Sequence, residues 1–274
     1  MTRELLLLRH GKARKRKQGS DFERPISSRG KRDAQLVATW IWRNELMPDY
    51  VISSPAARAL ETARKACKAM GTGPQGIVED PRIYEATTSE LLQVLGDIPQ
   101  TARRVLLVGH NPGLKKLLCY LDGEIDEHLP KSALAHIKLP DNWMQLTPGC
   151  GHTLTRIQPA ELPEKFPFPG PRDAELRDRP AYYYTQSSVI PYRTNGGKIE
   201  ILLVRSSKGK HWVVPKGIAE PGLSLQESAA EEAREEAGAI GEIDQQALGS
   251  YECPKWGAIC NVTVYPMRVD HLFP

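Results

Sequence analysis

Leu5-Leu6-Leu7-Leu8-Arg9-His10-Gly11 is the stretch that decides the fold of the first half of this 274-residue chain. An uninterrupted apolar run of this kind predicts a buried strand of a parallel sheet. Ligands bind outside the carboxyl edge of such a sheet, where the three residues after Leu8 lie. Arg9 carries a permanent charge on a forked donor set that suits phosphate, and His10 is a nucleophile at neutral pH. The stretch therefore predicts a phosphate site, with Gly11 as the tight turn beside it.

Two more apolar segments of the first half end in residues of the same kind. Val51-Ile52 leads into a turn that opens a helix, with Arg58 in the first turns of that helix. Val105-Leu106-Leu107-Val108 leads into Gly109-His110-Asn111-Pro112-Gly113. Because the carboxyl ends of parallel strands meet at one edge of a sheet, one pocket is predicted to collect two guanidiniums and two imidazoles: Arg9, His10, Arg58 and His110.

These segments resemble the histidine phosphatase superfamily and, within it, the SixA-type phosphohistidine phosphatases. The resemblance extends over most of the first half of the chain and includes Arg24-Pro25-Ile26-Ser27 ahead of Arg29-Gly30. It implies a three-layer α/β/α domain with a mostly parallel sheet over residues 1–157, and a reaction that needs no metal. It also implies that Arg24 is a further phosphate-binding arginine, and we assign Gly11 and Asn111 to substrate binding beside it.

The predicted chemistry follows from the residue types. Catalysis of phosphoryl transfer is mostly positioning and stabilisation of negative charge by preorganised cations, which the three arginines supply. Neighbouring guanidiniums lower the pKa of His10 by penalising the imidazolium, so that His10 attacks as a neutral imidazole and becomes a phosphohistidine. His110 is predicted to donate to a phosphoryl oxygen. Glu85, in Arg82-Ile83-Tyr84-Glu85-Ala86, is the predicted general acid for the leaving group.

Each of these residues also has a structural interpretation. A histidine at a strand end can be a satisfied core residue, and an isolated helical arginine such as Arg58 is more often solvated. His136 alternates with apolar neighbours like a strand residue and is predicted to be structural. The basic run from Lys12 to Lys17 is a solvated loop or, since it follows His10 directly, a means of steering anionic substrates.

A second signal lies in the helix predicted after Gly217. Ser224 and Glu227 form a capping box that begins the helix, and Gly238 ends it. Three carboxylates at spacings i, i+3 and i+4 share one face of this helix: Glu232, Glu235 and Glu236. They repel one another unless a divalent cation lies among them, and hard oxygen ligands favour Mg²⁺ or Mn²⁺. The alternative interpretation is that the three glutamates only form an acidic, solvated face of the helix.

This segment resembles the Nudix box of the MutT-like pyrophosphohydrolases. Both glycines and the three glutamates match, whereas Leu223 replaces a usual glutamate and Glu231 replaces the usual arginine. The resemblance implies that Glu232 is catalytic as well as metal-binding. The usual arginine helps to orient the metal-binding carboxylates, so its replacement favours metal binding over turnover.

The length of the chain suits two domains. We predict a SixA-like domain over 1–157, a linker over 158–181 and a Nudix-like α/β domain over 182–274. Prolines recur through the linker, where they break helix and sheet alike. The last region is shorter than a complete Nudix fold, so the sequence predicts a module that is incomplete at its C-terminus. Tyr182-Tyr183-Tyr184, at its start, are expected to pair strands or contact a domain, with stacking on a nucleotide base as the alternative.

Composition excludes several classes of protein. No segment approaches transmembrane length, so no membrane partner is predicted. The five cysteines lack paired metal spacing, which predicts reduced thiols in a cytoplasm. The net charge of +4 comes with neither interleaved aromatic residues nor a recognised binding module, so no nucleic-acid partner is predicted.

Three functional hypotheses remain. In the first, the chain is a phosphohydrolase that dephosphorylates a phosphohistidine protein or a small phosphoester through phospho-His10, and a Mg²⁺- or Mn²⁺-dependent pyrophosphohydrolase that cleaves a nucleoside diphosphate derivative. In the second, the Nudix-like domain only senses a nucleotide, as Leu223 and Glu231 suggest. In the third, both domains are a non-enzymatic scaffold, an interpretation that the intact set of arginines and histidines argues against.

Overall fold

The computed structural model describes residues 2–15, 19–123, 129–173, 175–206 and 209–273, which form two compact units, Met1–Glu164 and Lys165–Pro274. The predicted α/β class is confirmed: the first unit has a sheet rich in parallel strands, and the second combines a mixed sheet with one long helix. Within these ranges no helix is both long enough and apolar enough to cross a bilayer. Arg16 and Lys17, part of the predicted basic run, lie outside the described residues.

The first unit is built on a six-stranded sheet with the order β3-β2-β4-β1-β5-β6. In chain order its strands and helices are β1 (Arg3–Arg9), α1 (Ser28–Arg43), β2 (Tyr50–Ser53), α2 (Ala57–Ala69), β3 (Ile77–Glu79), α3 (Thr88–Gly96), β4 (Arg104–Gly109), α4 (Gly113–Asp122), β5 (Leu134–Leu139) and β6 (His152–Ile157). Strands β1 to β4 are mutually parallel, and β5 and β6 run antiparallel to their neighbours.

Strand β1 lies in the middle of this sheet, which explains its uninterrupted apolar sequence. All four leucines are fully buried. Leu5 and Leu7 share a core with the apolar residues of α3 and α4. Because alternate strand residues point to opposite faces, Leu6 and Leu8 need a second cover, and α1 and α2 pack together with buried faces of their own. The predicted sheet between two helical layers follows from this strand.

The connections that follow β1 and β4 run in opposite directions along the sheet. From β1 the chain passes through α1 to β2, toward the edge formed by β3, and from β4 it passes through α4 to β5, toward the edge formed by β6. The register pairs Arg9 with Gly109 and Ser53 with Val108, so β1, β4 and β2 end at nearly the same level. A crevice forms at such a switch point outside the carboxyl ends of the strands.

The second unit has a mixed sheet with the order β10-β9-β16-β14, in which β13 also pairs with β9 and β15 with β16. Its strands and helix are β7 (Phe166–Phe168), β8 (Glu175–Arg177), β9 (Thr185–Asn195), β10 (Lys198–Ile201), β11 (Val204–Arg205), β12 (Trp212–Val213), β13 (Lys216–Ile218), α5 (Leu225–Ala237), β14 (Ala239–Ile243), β15 (Gly249–Lys255) and β16 (Ala258–Leu272). Strands β9 and β16 are the parallel pair at its centre.

Helix α5 begins and ends where the sequence predicts. The capping box is present: the Ser224 side chain accepts from the Glu227 amide, and the Glu227 carboxylate accepts from the Ser224 amide. Gly238 adopts the left-handed conformation that ends the helix. Ala229 and Ala233 pack on Val189, Tyr265 and Met267 of the sheet.

The proline-rich segment differs from a plain linker. The boundary between the units falls at Glu164, and the segment after it contains β7 and β8, which pair as a hairpin. The Arg177 guanidinium lies 3.2 Å from the centre of the Phe168 ring and 4.6 Å from that of Tyr184, which is buried in a 3₁₀ turn. The Tyr184 hydroxyl also donates to the Trp256 carbonyl. These contacts and the short hairpin hold the segment in place, although prolines recur along it.

Candidate active sites

The carboxyl edge of the first sheet brings the predicted histidines face to face. His10 follows β1 and His110 follows β4, and their ring centroids are 4.9 Å apart at an interplanar angle of 50°. Arg58 lies in the first turn of α2, and the charges of Arg58 and Arg9 act on both imidazoles. All four side chains that the strand ends were predicted to gather therefore lie in one site, which is largely buried.

The backbone defines the position and the tautomer of His10. Its amide donates to the Gly109 carbonyl, which fixes the residue across the β1–β4 pair. The ring Nδ1 lies 2.8 Å from the Gly11 carbonyl, which can only accept, so Nδ1 carries the proton and Nε2 keeps its lone pair. The pKa of His10 is lowered to about 4, mainly by burial; the hydrogen bond to Gly11 opposes this shift, and the nearby charges of Arg58 and Arg9 add to it. The sequence predicted the arginine contribution, whereas the larger cause is burial.

Ser54 fixes the second imidazole. Its hydroxyl oxygen accepts from the Ala56 amide and lies 2.8 Å from Nε2 of His110, to which it can donate or from which it can accept. Nδ1 of His110 is buried without a hydrogen-bond partner among the described residues. Burial, the neighbouring His10 and the two arginines lower the pKa of His110 to about 3. When the Ser54 hydroxyl donates to Nε2, neutral His110 is a donor through Nδ1–H.

The three predicted arginines are held by their terminal nitrogens. Arg9 donates through Nη1 to the Leu129 carbonyl at 2.8 Å. Asp21 holds the other two: one carboxylate oxygen lies 2.9 Å from Nη2 of Arg58 and the other lies 2.9 Å from Nη2 of Arg24. The Nε atom of each arginine is buried and has no partner within the described ranges. The donors left over in this pocket suit an anion.

Gly11 and Asn111, predicted to bind substrate, are partly engaged by the protein. The Gly11 amide donates to the Thr62 hydroxyl at 2.9 Å, and a Cβ at Gly11 would lie 2.8 Å from the Gly30 carbonyl oxygen. Asn111 donates through Nδ2 to the Leu129 carbonyl, so that Oδ1 is the atom without a described partner. Gly11 therefore shapes the turn, and Asn111 offers an acceptor, which suits a protonated oxygen.

Glu85, the predicted general acid, lies between two residues that contact the elements of the site, Tyr84 and Ala86. The Tyr84 ring lies edge-on to His110, with centroids 5.4 Å apart. The Ala86 carbonyl lies against the start of α4, where a Cβ on Gly113 would come within 2.5 Å of it. Glu85 itself is exposed and has a φ of 54°, a left-handed conformation that strains a residue with a side chain.

A row of rings leads from the buried nucleophile to the surface. His10 is 7% exposed and faces His110, which contacts Tyr84, and the Tyr84 ring meets Phe22 edge-on with centroids 5.1 Å apart. Phe22 is 39% exposed. The Arg58 guanidinium lies 5.7 Å from the centre of the Tyr84 ring. The site of the two histidines therefore has an aromatic wall among the described residues, which no sequence motif predicted.

The second unit brings the predicted carboxylates of α5 against β13. A Cβ on Gly217 would overlap the Glu232 carboxylate, so only glycine permits this approach. The Glu236 carboxylate accepts from the Lys216 amide at 3.1 Å. Burial and, to a lesser extent, the charges of Glu236, Glu235 and Glu220 raise the pKa of Glu232 to about 7. Glu220 is a fourth carboxylate of this group, for which the sequence predicted no role.

The donor chemistry of this cluster fits a hard divalent cation. The charges that act on Glu232 include three carboxylates, Glu236, Glu235 and Glu220, and one ammonium, Lys216. Carboxylate oxygens are ligands that such a cation prefers, and its charge would offset their repulsion. Across the described ranges, no three side chains of the metal-ligating types are arranged to hold an ion already. Arg234 is the positive charge on the helix, paired with Glu231 at 2.5 Å and lying 3.7 Å from Glu235.

Comparisons with known proteins agree with this division. Residues 5–94 match the family model of the histidine phosphatase superfamily (branch 1), and residues 184–257 match that of the NUDIX domain. An uncharacterized protein of Mycobacterium tuberculosis is 29% identical over 154 residues, which cover 52% of this chain and 94% of that protein. The structure of the protein histidine phosphatase SixA complexed with tungstate superposes with a TM-score of 0.52 at 22% identity, over 58% of this chain and 98% of that one.

The second unit has curated relatives of its own. Nudix hydrolase 21 of Arabidopsis thaliana, a chloroplastic protein, is 36% identical over 90 residues, which cover 31% of this chain and 45% of that protein. Nudix hydrolase 4 of the same plant is 37% identical over 89 residues, which cover 30% of this chain and 42% of that protein. The chain thus spans less than half the length of these plant hydrolases.

Proposed function

We propose that this chain, which joins a histidine phosphatase superfamily domain to a NUDIX domain, is a two-domain phosphohydrolase whose first unit transfers a phosphoryl group to His10. The observation that carries this proposal is the pair of facing imidazoles. Nε2 of His10 keeps its lone pair, Nδ1 of His110 has no partner among the described residues, and the charges of Arg9 and Arg58 act on both rings. Such a site can bind a phosphoryl group and attack it without a metal.

The reaction has two balanced steps. Nε2 of His10 attacks phosphorus, the bond to the leaving group breaks, and Glu85 gives the departing atom its proton. The arginines and Nδ1–H of His110 stabilise the charge on the equatorial oxygens. Water then attacks the phosphohistidine, with the Glu85 carboxylate accepting its proton, and releases orthophosphate with His10 restored. The low pKa of His10 keeps the nucleophile unprotonated throughout the neutral range.

For the substrate of this site we favour a phosphoryl group carried on a planar ring, of which the imidazole of a phosphohistidine protein is the leading case. The support is the aromatic wall of Tyr84 and the partly exposed Phe22 next to Arg58. A ring that leaves from this pocket can pack edge-on or offset against these side chains, which contributes about 0.5–1.5 kcal/mol per pair. A small alkyl phosphoester, the alternative, gains nothing from the wall.

For the second unit we propose a Mg²⁺- or Mn²⁺-dependent pyrophosphohydrolase acting on a nucleoside diphosphate derivative. Glu232, Glu235 and Glu236 would hold the cation, which would neutralise the diphosphate and the carboxylates. The approach of Glu232 to Gly217 supports this assignment, because a glycine is needed there to admit the carboxylate. A specific observation favours the alternative of nucleotide binding without turnover: Arg234 pairs with Glu231 on the helix, so no arginine from position 231 orients the carboxylates.

A phosphate-release panel tests both halves. We expect turnover of phenyl phosphate and of phosphohistidine to disappear in His10→Ala, to persist in His152→Ala, an exposed histidine on β6, and to resist chelation of divalent ions. We expect pyrophosphate cleavage to require the ion and to disappear in Glu232→Gln but not in Glu252→Gln, an exposed residue on β15. Nucleotide binding without cleavage would select the alternative for the second unit. A metal requirement for phenyl phosphate would contradict the assignment of the first.

The aromatic wall has its own test. Phe22→Leu keeps an apolar side chain but removes the ring, so it should lower kcat/KM for phenyl phosphate about two- to tenfold relative to that for glycerol phosphate. Tyr84→Phe keeps the ring and should leave this ratio unchanged. Equal losses on both substrates in Phe22→Leu would contradict a substrate ring against this wall. Comparison of kcat/KM for phenyl phosphate with that for phosphohistidine then shows whether the site prefers a phenyl ring or an imidazole as the leaving group.

A further inference from the structure

Ser132 lies directly behind the nucleophile in an unusual conformation. It stands two residues before β5, is fully buried, and has a φ of 58°. Its amide donates to the carbonyl of Arg9 at 3.1 Å and to that of His10 at 3.3 Å. The serine therefore contacts the main chain of Arg9, the last residue of β1, and of His10, which follows it.

The left-handed backbone of Ser132 would suit glycine better. Within the described ranges four residues other than glycine have a positive φ, and the other three are exposed or half-buried: Glu45, Glu85 and Trp256. Glycine adopts this conformation without strain and would present the same amide to the two carbonyls. What serine adds is its hydroxyl. Strain kept in a buried residue beside a reactive group is a reason to look for a role of the side chain.

The Ser132 hydroxyl is itself unusual, because Oγ is buried and has no hydrogen-bond partner in the part of the chain that the structure describes. Other buried atoms without a described partner belong to the residues of the first site: Nε of Arg9, Arg24 and Arg58, and Nδ1 of His110. Because only three bonds separate Oγ from the amide that contacts the Arg9 and His10 carbonyls, the hydroxyl stays within a few ångströms of that strand end.

We propose that the Ser132 hydroxyl is a further phosphoryl-binding group, donating to a non-bridging oxygen of the group that His10 attacks. The proposal rests on the proposed function of the first unit, and adds to it a neutral donor that no motif marked. A hydroxyl can rotate to follow the oxygen as the phosphoryl group moves from the substrate to Nε2 of His10. Orthophosphate, the product, makes the same contact and serves as the probe.

A purely structural role predicts a different pattern. The segment from Leu129 to Ser132 already holds the site through its backbone: the Leu129 carbonyl accepts from Arg9 and Asn111, and the Ser132 amide donates to two carbonyls. If Ser132 acts only through its backbone, the Ser132→Gly variant should bind phosphate with wild-type affinity and should be more stable in urea than the wild type. If the hydroxyl binds phosphate, glycine should gain stability and lose affinity.

The experiment compares Ser132→Ala and Ser132→Gly in the full chain. Calorimetry with orthophosphate and kinetics with phenyl phosphate should show Kd and KM raised about tenfold in both variants, the cost of one hydrogen bond to an anion. Urea unfolding should show Ser132→Gly at least as stable as the wild type, which guarantees a folded variant. Ser228→Ala, which removes the hydroxyl of a buried serine of the second unit, should leave phosphate affinity unchanged.

Phosphate affinity at the wild-type level in Ser132→Gly would overturn the proposal, as would a loss confined to Ser132→Ala, which would point to the backbone. Failure of the proposed function looks different. In that case phenyl phosphate turnover would survive in His10→Ala, or would be absent from the wild type, whatever residue stands at position 132.

Discussion

Acidification should leave the nucleophile of the first unit unprotonated far below the usual range of histidine. Burial, with help from two guanidiniums, lowers the pKa of His10 from 6.5 to about 4 and, with His10 as an added neighbour, that of His110 to about 3. At pH 5.5 an ordinary imidazole is about one-tenth neutral, whereas one with a pKa near 4 is almost fully neutral. At that pH the neutral fraction of His10 should therefore be about ten times larger than that of an ordinary histidine.

The direct measurement is the pH titration of the imidazole Cε1–H resonances by NMR, assigned through His10→Gln and His110→Gln. The internal reference is the same chain in urea, whose imidazoles titrate near pH 6.5. We expect both assigned resonances to hold their neutral shifts down to about pH 5, as the lowered pKa values require. The acid limb of kcat/KM for phenyl phosphate should follow the His10 midpoint after correction for ionisation of the substrate.

A midpoint for His10 at or above pH 6 would refute this reasoning, because it would mean that water or a counter-charge reaches the ring. The order of causes is testable as well. Since burial contributes more than the arginine charges, Arg58→Met should raise the midpoint but keep it well below 6.5. A full return to 6.5 in that variant would assign the shift to charge, as the sequence alone predicted.

Three further predictions concern stability and the second site. Between pH 6.5 and 4 the unfolded chain binds more protons than the folded one at both buried imidazoles, so the free energy of unfolding should fall as pH falls, by about 3 kcal/mol for His10, measured by urea titration. Gly113→Ala places a Cβ 2.5 Å from the rigid Ala86 carbonyl and should cost about 1–3 kcal/mol in urea, whereas Gly96→Ala, with open space around it, should cost nothing measurable. Gly217→Ala meets only the mobile end of the Glu232 side chain, so it should change unfolding by less than about 1 kcal/mol yet weaken Mg²⁺ binding, seen by calorimetry, more than tenfold.

The sequence predicts the first site well because strand ends are easy to locate. The leucines of β1 are buried as their uninterrupted run requires, and the parallel pairing of β1 with β4 places His10 and His110 at one edge. Only the edge rule and the positions of two apolar runs are needed to place these residues. The same reasoning works for α5, where the cap, the stop and the spacing of the glutamates are all local.

The residues that hold the site in shape could not be found in this way. Asp21 contacts Arg58 across 37 positions, and Ser54 contacts His110 across 56. Both are ordinary polar loop residues in the sequence, and nothing in their neighbours distinguishes them. The cause of the low pKa of His10 was missed for the same reason: residue types reveal charges, whereas burial depends on which elements cover the strand end.

The proline-rich segment shows the opposite failure, in which a local rule was applied too widely. Prolines remove amide donors, and so they argue against long helices and central strands. They do not argue against short strands held by side chains. Phe166 is buried, and the Arg177 guanidinium packs on the rings of Phe168 and Tyr184. Composition averaged over the segment hides these contacts, which depend on three particular residues.

The two sites differ in how far their charged groups are already arranged to bind a ligand. In the first, protein contacts hold terminal nitrogens of the guanidiniums, the Gly11 carbonyl selects the tautomer of His10 and the Ser54 hydroxyl holds Nε2 of His110, so binding an anion need not rearrange the charged groups. In the second, burial first and then the charges of the neighbouring carboxylates raise the pKa of Glu232. A cation bound among these glutamates would favour their charged forms. Phosphate should accordingly bind the first site without divalent ions, whereas binding of a nucleoside diphosphate to the second should depend on them.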